Sequence, residues 1–149
     1  MPTQISYHRG GSKVECWGFE CEATVEDRDI KEWFKLSLDP AFRDDSPDAP
    51  TRKEALVWFG DYIYCVYQYV VSHLAAIIPR FTSQRVEFIF SVPTTWKDPR
   101  IASELKDRIR LDASNHTAKI GLTEAEAAAV YASKEHYRVC SPVEHLSSH

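Results

Sequence analysis

The stretch that most constrains the fold is residues 85–100, RVEFIFSVPTTWKDPR, where a strand pattern ends at a proline and changes within a few residues to a helix pattern. Val86, Phe88 and Phe90 alternate with their neighbours, and the β-branched and aromatic content predicts a strand with both faces largely covered. Pro93 ends that strand. Because α/β proteins place ligand sites where a buried strand leads into a helix through a short polar turn, we expect the functional site here.

Helical periodicity and helix-start signals predict four helices. Asp98 is a typical N-cap, and Pro99 occupies the first helical position, where a missing N–H costs nothing. Capping-box patterns, in which a threonine is followed three residues later by a glutamate, begin at Thr51 and at Thr123. The predicted helices cover residues 26–38, 51–78, 99–113 and 123–134. In the first of them the apolar spacing predicts one buried face, which carries Ile30, Trp33, Phe34 and Leu38.

Short strands are predicted around these helices. The glycine pair Gly10-Gly11 separates two segments with apolar and aromatic residues and indicates a hairpin. The predicted short strands are residues 5–8, 13–19, 117–120 and 137–140. Strands followed by helices along the chain predict the fold class α/β.

The charge of the chain argues against two classes of partner. The 149 residues carry a formal net charge of -4 with a pI near 5.8, and no basic run occurs. Neither nucleic acid nor an acidic membrane surface is therefore expected as a partner. The longest weakly polar run, residues 62–78, contains polar side chains and is short for a bilayer crossing, so we interpret it as a core helix.

The cysteines indicate a reducing compartment. Cys16, Cys21, Cys65 and Cys140 lack the paired spacing of a zinc ribbon and the dense spacing of a secreted disulfide scaffold. The first residues lack the charged and apolar regions of a secretory signal, so a cytoplasmic location is expected. Cys16 and Cys21 are separated by four residues, and buried apolar packing is the default interpretation for both, ahead of a redox or metal role.

Two motifs, in order and at a suitable spacing, resemble a known family. The first is SVPTTWKDPR at residues 91–100, and the second, after an intervening helix, is IGLTEAEAAAVYASK at residues 120–134. Together with WFKLSLDP at residues 33–40, they resemble the actin-like ATPase domain of the seventy-kilodalton heat-shock chaperone family, especially its divergent fungal branch and animal relatives. The resemblance runs from about Ile5 to Lys134.

The resemblance implies a fold and cofactors. Members of that family fold as two lobes around a nucleotide cleft, each lobe a mixed sheet with helices on both faces. Residues 1–140 are accordingly expected to be a partial first lobe, ribonuclease-H-like, with a mixed sheet and flanking helices. Residues 141–149 are expected to be a disordered or frayed tail. ATP and Mg²⁺ are the cofactors that the family uses.

The resemblance also implies functional residues. Pro93 and Arg100 match a proline and an arginine that relay the nucleotide state to the substrate-binding domain. Glu124 matches a glutamate near the metal and phosphates and is the expected catalytic residue, since the helix dipole keeps such a carboxylate ionised and suited to contact magnesium-bound water. An ordinary first-turn glutamate is the alternative interpretation of Glu124. No residue is predicted as a metal ligand.

Departures from the family pattern argue against full activity. The family's first phosphate loop would precede Ile5, and its second would follow Val139-Cys140, where this sequence reads Ser141-Pro142; neither motif is present. No lysine is matched to the one that the family places near the γ-phosphate. Phosphoryl transfer depends on phosphate-binding N–H groups and metal ions, so this polypeptide alone is expected to bind and hydrolyse ATP poorly or not at all.

Two alternatives to a deficient ATPase fragment stay open. One is a non-enzymatic interaction module, in which open sheet edges pair with a partner protein or with a second copy of the chain. The other is a truncated gene product that has no function of its own.

Overall fold

Helices and strands follow one another through the computed structural model, which describes residues 2–21, 29–96 and 98–140. The helices within these ranges are α1 (Arg52–Ile77), α2 (Pro99–Arg108) and α3 (Glu124–Cys140). The strands are β1 (Gln4–Tyr7), β2 (Val14–Trp17), β3 (Ile30–Glu32), β4 (Val86–Val92) and β5 (His116–Thr123). The protein is a mixed α/β protein, as predicted.

The longest element, α1, begins and ends where the sequence predicts. The Glu54 N–H donates to the Thr51 hydroxyl (3.3 Å), and the Thr51 N–H donates to the Glu54 carboxylate (2.9 Å), which completes the capping box. The Thr51 hydroxyl also donates to the Glu54 carboxylate (2.6 Å), and this bond together with the bond from the Thr51 N–H lowers the pKa of Glu54. Ile78 caps the other end before Pro79, which cannot continue a helix.

No helix in the described ranges has the length and apolar character of a membrane span.

A three-stranded antiparallel sheet has the strand order β2-β1-β3. β1 and β2 form the predicted hairpin, with Ile5 opposite Trp17, and Gly10 in the connecting turn has a φ of 72° that favours glycine. β3 pairs with the other edge of β1, with Gln4 opposite Glu32. This pairing satisfies backbone groups on both sides of β1.

The helix predicted over residues 26–38 is wrong wherever the structure describes it; residues 26–28 lie outside the described ranges. From Ile30 the chain forms β3 and then a single 3₁₀ turn, Leu36–Leu38. The open edge of β1 provides backbone partners that local helical spacing could not anticipate. Trp33, with a φ of 58°, separates the strand from the turn.

Phe34 and Leu38 are nevertheless both fully buried, although no helix joins them. The helical spacing correctly identified them as core residues, because the turn directs both side chains to one side. The Phe34 ring contacts Tyr62 of α1 edge-to-face, with centroids 6.2 Å apart. The periodicity therefore predicted burial correctly and the backbone conformation wrongly.

A second sheet consists of β4 and β5, which run parallel and are connected through α2. Phe88 on its inner face packs edge-to-face on Tyr67 of α1, with centroids 5.2 Å apart. The prediction that β4 is covered on both faces is wrong, because Glu87, Ile89 and Ser91 face outward and Ile89 is 55% exposed. The single mixed sheet implied by the resemblance is likewise divided into two sheets within the described ranges.

α2 is shorter than its predicted span of residues 99–113. Its last turn closes with a bond from the Ile109 N–H to the Lys106 carbonyl (3.1 Å), after which Ile109 is extended. Arg110 then turns toward α1 and forms an ion pair with Asp61 (2.6 Å). This long-range contact ends the helix before the periodicity does.

The beginning of α3 is confirmed and its predicted end is wrong. The Thr123 N–H donates to the Glu126 carboxylate (2.7 Å), and the Glu126 N–H donates to the Thr123 hydroxyl (3.2 Å). The helix continues to Cys140, so the strand predicted at residues 137–140 is helical; no described strand lies beside it in either sheet. Residues 141–149, the predicted tail, lie outside the described ranges.

The core lies where α1 meets the three-stranded sheet, the 3₁₀ turn Leu36–Leu38 and α2. One glycine allows a close helix contact: a Cβ on Gly60 would lie 3.2 Å from the Arg108 carbonyl oxygen. The buried cluster consists of Ile5, Phe34, Leu38, Ala55, Leu56, Tyr62, Ile63, Ile101 and Leu105.

Leu38 and Leu36 provide a matched test of this core. Leu38 is 0% exposed and Leu36 is 46% exposed, although both lie in the same 3₁₀ turn. Leu38→Ala is expected to lower the free energy of unfolding by about 2–5 kcal/mol, because it removes buried apolar surface and leaves a cavity. Leu36→Ala should cost less than about 1 kcal/mol. Urea unfolding followed by circular dichroism measures both, and equal losses would contradict the burial of this turn.

Candidate functional site

The carboxyl ends of two parallel strands meet at one edge of the second sheet. In the β4–β5 register, Val92 pairs with Thr123, so the residues that follow them, Pro93 and Glu124, leave the sheet side by side. Ligand sites of parallel sheets lie outside this edge. This is the position at which the sequence predicted a functional site.

A crevice of about 510 Å³ opens at this edge. Three segments that are distant in sequence form it: the start of β1, the chain from the end of β3 to Phe42, and the residues that follow β4 and β5. The lining residues are Pro2, Thr3, Gln4, Glu32, Trp33, Lys35, Leu36, Asp39, Phe42, Pro93, Thr95, Trp96 and Glu124. Apolar and aromatic walls with a few polar groups are typical of ligand sites.

One ion pair crosses the crevice. The Lys35 Nζ lies 2.9 Å from the Glu124 Oε1, and the two side chains are 34% and 51% exposed. Glu124 is the first residue of α3, where the helix dipole favours a negative charge. Both charges are accessible to a ligand that enters the crevice.

The charge of the lining is predominantly acidic. Glu32, Asp39 and Glu124 provide three carboxylates, and Lys35 provides the only basic side chain among the lining residues. The Gln4 amide donates to the Glu32 carboxylate (3.0 Å) and so orients it. An anionic ligand would meet net repulsion here unless cations accompanied it.

Two tryptophans form the aromatic part of the crevice. Trp33 is 71% exposed and has a φ of 58°, a conformation that costs a non-glycine residue about 1–3 kcal/mol. Its carbonyl accepts from the Leu36 N–H (2.9 Å), which holds the turn in place. Trp96 is half-buried, and its backbone N–H donates to the Pro93 carbonyl (3.1 Å). Residues held in such strained backbone conformations cluster at functional sites.

The capping box of α3 involves Glu126 and not Glu124. Glu126 is engaged by Thr123, and these hydrogen bonds lower the pKa of Glu126. Glu124 takes no part in those bonds and lines the crevice. Glu124 is therefore the α3 carboxylate that a ligand would contact.

The structure brings together two of the three predicted site residues. Pro93 and Glu124 line the same crevice, whereas Arg100 lies on the first turn of α2 and is not among the lining residues. The Arg100 side chain is 85% exposed, and its guanidinium binds the Asp98 carboxylate, with an Nη2–Oδ2 distance of 2.7 Å. This contact lowers the pKa of Asp98.

Lys35, Trp33 and Trp96 are site residues that the residue-by-residue prediction missed. The predicted helix over residues 26–38 placed Trp33 on a buried face, whereas the turn exposes it. The available signal was the WFKLSLDP phrase at residues 33–40, which belonged to the family resemblance but was not linked to a role.

Across residues 2–21, 29–96 and 98–140, no group of three or more His, Cys, Asp or Glu side chains is placed to hold a metal ion. Comparison of the chain with protein-family models, with curated proteins and with solved structures found no match.

The stabilising contribution of the Lys35–Glu124 pair can be measured by a double-mutant cycle with Lys35→Met and Glu124→Gln. Because both side chains are partly exposed, the coupling energy is expected to be about 0.2–1 kcal/mol and to fall as salt is added. The Arg52–Glu104 pair, at 2.6 Å and similarly exposed, is the matched control on the α1–α2 contact. A coupling energy above about 2 kcal/mol for Lys35–Glu124 but not for the control pair would contradict this prediction, because it would mean that the ion pair makes a large contribution to the stability of the fold.

Proposed function

We propose that this chain is part of the first lobe of an actin-like ATPase domain of the heat-shock chaperone type, and that the crevice corresponds to part of its nucleotide cleft. The observation that carries this proposal is the parallel β4–β5 pair, which brings Pro93 and Glu124 to one crevice. The order of strand, proline turn, helix, parallel strand and alanine-rich helix is the order of the motifs that resemble the family.

Lys35 is the proposed phosphate-facing cation of this site. It belongs to the WFKLSLDP phrase, lies 2.9 Å from Glu124 and is the basic residue of the crevice. The family's γ-phosphate lysine had no counterpart from sequence alone. In this proposal Glu124 orients magnesium-bound water and Lys35 neutralises phosphate charge. Mg²⁺ and ATP are the proposed cofactors of the complete site.

Pro93 and Arg100 fit a relay between the crevice and the outer surface. Pro93 lines the crevice, and Arg100 is exposed on α2 beyond the turn that begins at Pro93. A shift of that turn on nucleotide binding would move the beginning of α2, because Asp98 both caps α2 and binds Arg100.

This polypeptide alone is proposed to bind ATP only weakly. Its 149 residues contain neither phosphate-loop motif, so the backbone N–H groups that usually hold the phosphates are not supplied. The three carboxylates that line the crevice oppose a polyphosphate, and one lysine does not compensate for them.

The experiment is an NMR titration of the indole N–H signals with Mg-ATP. The chain has four tryptophans: Trp33 and Trp96 line the crevice, whereas Trp17 and Trp58 do not and serve as internal controls. We expect shifts confined to Trp33 and Trp96, with a Kd of about 1–10 mM. Lys35→Met should reduce these shifts further.

Three results would contradict this proposal. Stoichiometric micromolar binding in calorimetry would overturn the ATP deficiency. Shifts at Trp17 or Trp58 instead of the crevice tryptophans would overturn the location of the site. Absence of any indole shift at about 10 mM Mg-ATP would overturn residual nucleotide binding.

A second candidate function is self-association as a non-enzymatic interaction module. Within the described ranges β4 and β5 pair only with each other, and each leaves one edge open. Their outer face carries exposed Ile89, with Glu87 two residues earlier on β4 and Lys119 opposite it on β5. Two copies related by a two-fold axis could pair each glutamate with the partner's lysine, so a second copy of the chain is the proposed occupant.

Sedimentation velocity tests this association. The wild-type chain is expected to form dimers by about 100 µM, and Ile89→Glu should shift it to monomer, because a charge is then buried in the interface. Tyr131→Ser, a change to an exposed aromatic residue of α3, is the control and should leave the dimer intact. A wild-type monomer throughout, or equal effects of both variants, would rule out this surface.

A further inference from the structure

Two cysteine thiols are in contact at the outer strand of the three-stranded sheet. Cys16 lies on β2, and Cys21 ends the 3₁₀ turn Gly18–Cys21 that follows it. Their sulfur atoms are 2.7 Å apart, and the residues are only 5% and 2% exposed. No disulfide bond joins them in this structure.

The backbone between them returns the chain to the strand it has just left. Gly18, immediately after β2, has a φ of 58°, a conformation that glycine adopts without strain. The 3₁₀ turn then brings Cys21 back against Cys16. The approach of the two sulfurs is therefore produced by a defined turn.

Cys65 on α1 differs from this pair. It is half-buried, and burial together with the nearby Asp61 carboxylate raises the pKa of its thiol. A thiol that resists ionisation is a poor nucleophile in thiol–disulfide exchange. Cys65 also lies within the long helix α1, whereas Cys21 ends a short turn that can open locally. Cys65 therefore serves as a control thiol within the same chain.

We propose that Cys16 and Cys21 are a dithiol–disulfide pair that a low-molecular-weight disulfide, such as oxidised glutathione, oxidises. One cysteine thiolate attacks the glutathione disulfide, forms a mixed disulfide and releases one glutathione thiolate. The second cysteine thiolate attacks the protein sulfur of that mixed disulfide, which forms the Cys16–Cys21 bond and releases the second glutathione. The protein loses two electrons and two protons, and the glutathione disulfide becomes two thiols.

Access for glutathione requires transient opening of the turn. A single 3₁₀ turn has few backbone hydrogen bonds, so local opening costs less than global unfolding. Phe19, 62% exposed, and Glu20 form the outer side of this turn. Once the turn closes again, the burial of both cysteines protects the bond from further exchange.

The disulfide would stabilise the contact between the sheet and α1. The closed ring contains Trp17, whose indole packs edge-to-face against Tyr62 and Tyr69, with centroids 6.1 and 5.9 Å apart. Restricting the unfolded chain in this short loop is expected to raise the Tm by roughly 3–8 °C relative to the reduced protein.

Peptide mapping of the full chain tests the bond directly. Cleavage after Lys13 and Arg28 places Cys16 and Cys21 on one tryptic peptide, residues 14–28, and leaves Cys65 and Cys140 on other peptides. After incubation with oxidised glutathione and alkylation, this peptide should be unalkylated and about 2 Da lighter, because a disulfide has two hydrogens fewer than two thiols. Reduced glutathione should leave both cysteines available for alkylation after unfolding.

Variants and thermal melts complete the test. Cys65→Ser should retain both the mass change and the rise in Tm, whereas Cys16→Ser should lose both. If Cys16→Ser fails to fold, the wild-type peptide mass and the wild-type Tm in oxidising and reducing buffer still decide the outcome. Alkylation of both cysteines after oxidation, stable glutathione adducts on them, or cross-links to Cys65 would overturn the proposal.

Discussion

The packing of α1 against both sheets is the interaction on which the remaining structure depends. A two-stranded parallel sheet is too small to be stable alone in water, and the three-stranded sheet, whose strands have only three or four residues, has one apolar face to cover. Tyr62 of α1 packs against Trp17 and Phe34 beside the first sheet, and Tyr67, less than two turns later, packs against Phe88 of the second. One helix therefore supplies the apolar surface that both sheets need.

The crevice follows from this arrangement, because its walls come from three segments that are distant in the sequence and that the fold brings together. Lys35 and Glu124 are 89 positions apart in the sequence and form an ion pair only because the turn after β3 lies against the end of β5. Two features of the crevice have opposite effects on a nucleotide. The carboxyl ends of parallel strands are a usual position for a ligand site, whereas the mainly acidic lining repels a polyphosphate. The weak, incomplete nucleotide site that we propose is compatible with both.

The two proposed sites lie on different parts of the fold and involve different chemistry. The crevice is built on the carboxyl ends of β4 and β5, and the dithiol is built on the turn after β2. They share α1, since Trp17 of the dithiol ring and Phe34, next to the crevice residue Trp33, both contact Tyr62. Tyr62 is therefore the side chain of α1 that adjoins both regions.

The sequence by itself determined the features that depend on a few neighbouring residues: the Thr51 and Thr123 capping boxes, the Asp98 cap of α2, the glycine hairpin, and the change from strand to helix at Pro93. It also identified Phe34 and Leu38 as core residues. Only the tertiary structure decided that residues 30–32 form a strand, that Ile89 is exposed, that α2 ends before Arg110, and that Lys35 meets Glu124. Local signals act within one or two turns of chain, whereas these outcomes depend on which distant segment supplies a backbone partner, a covering surface or an opposite charge.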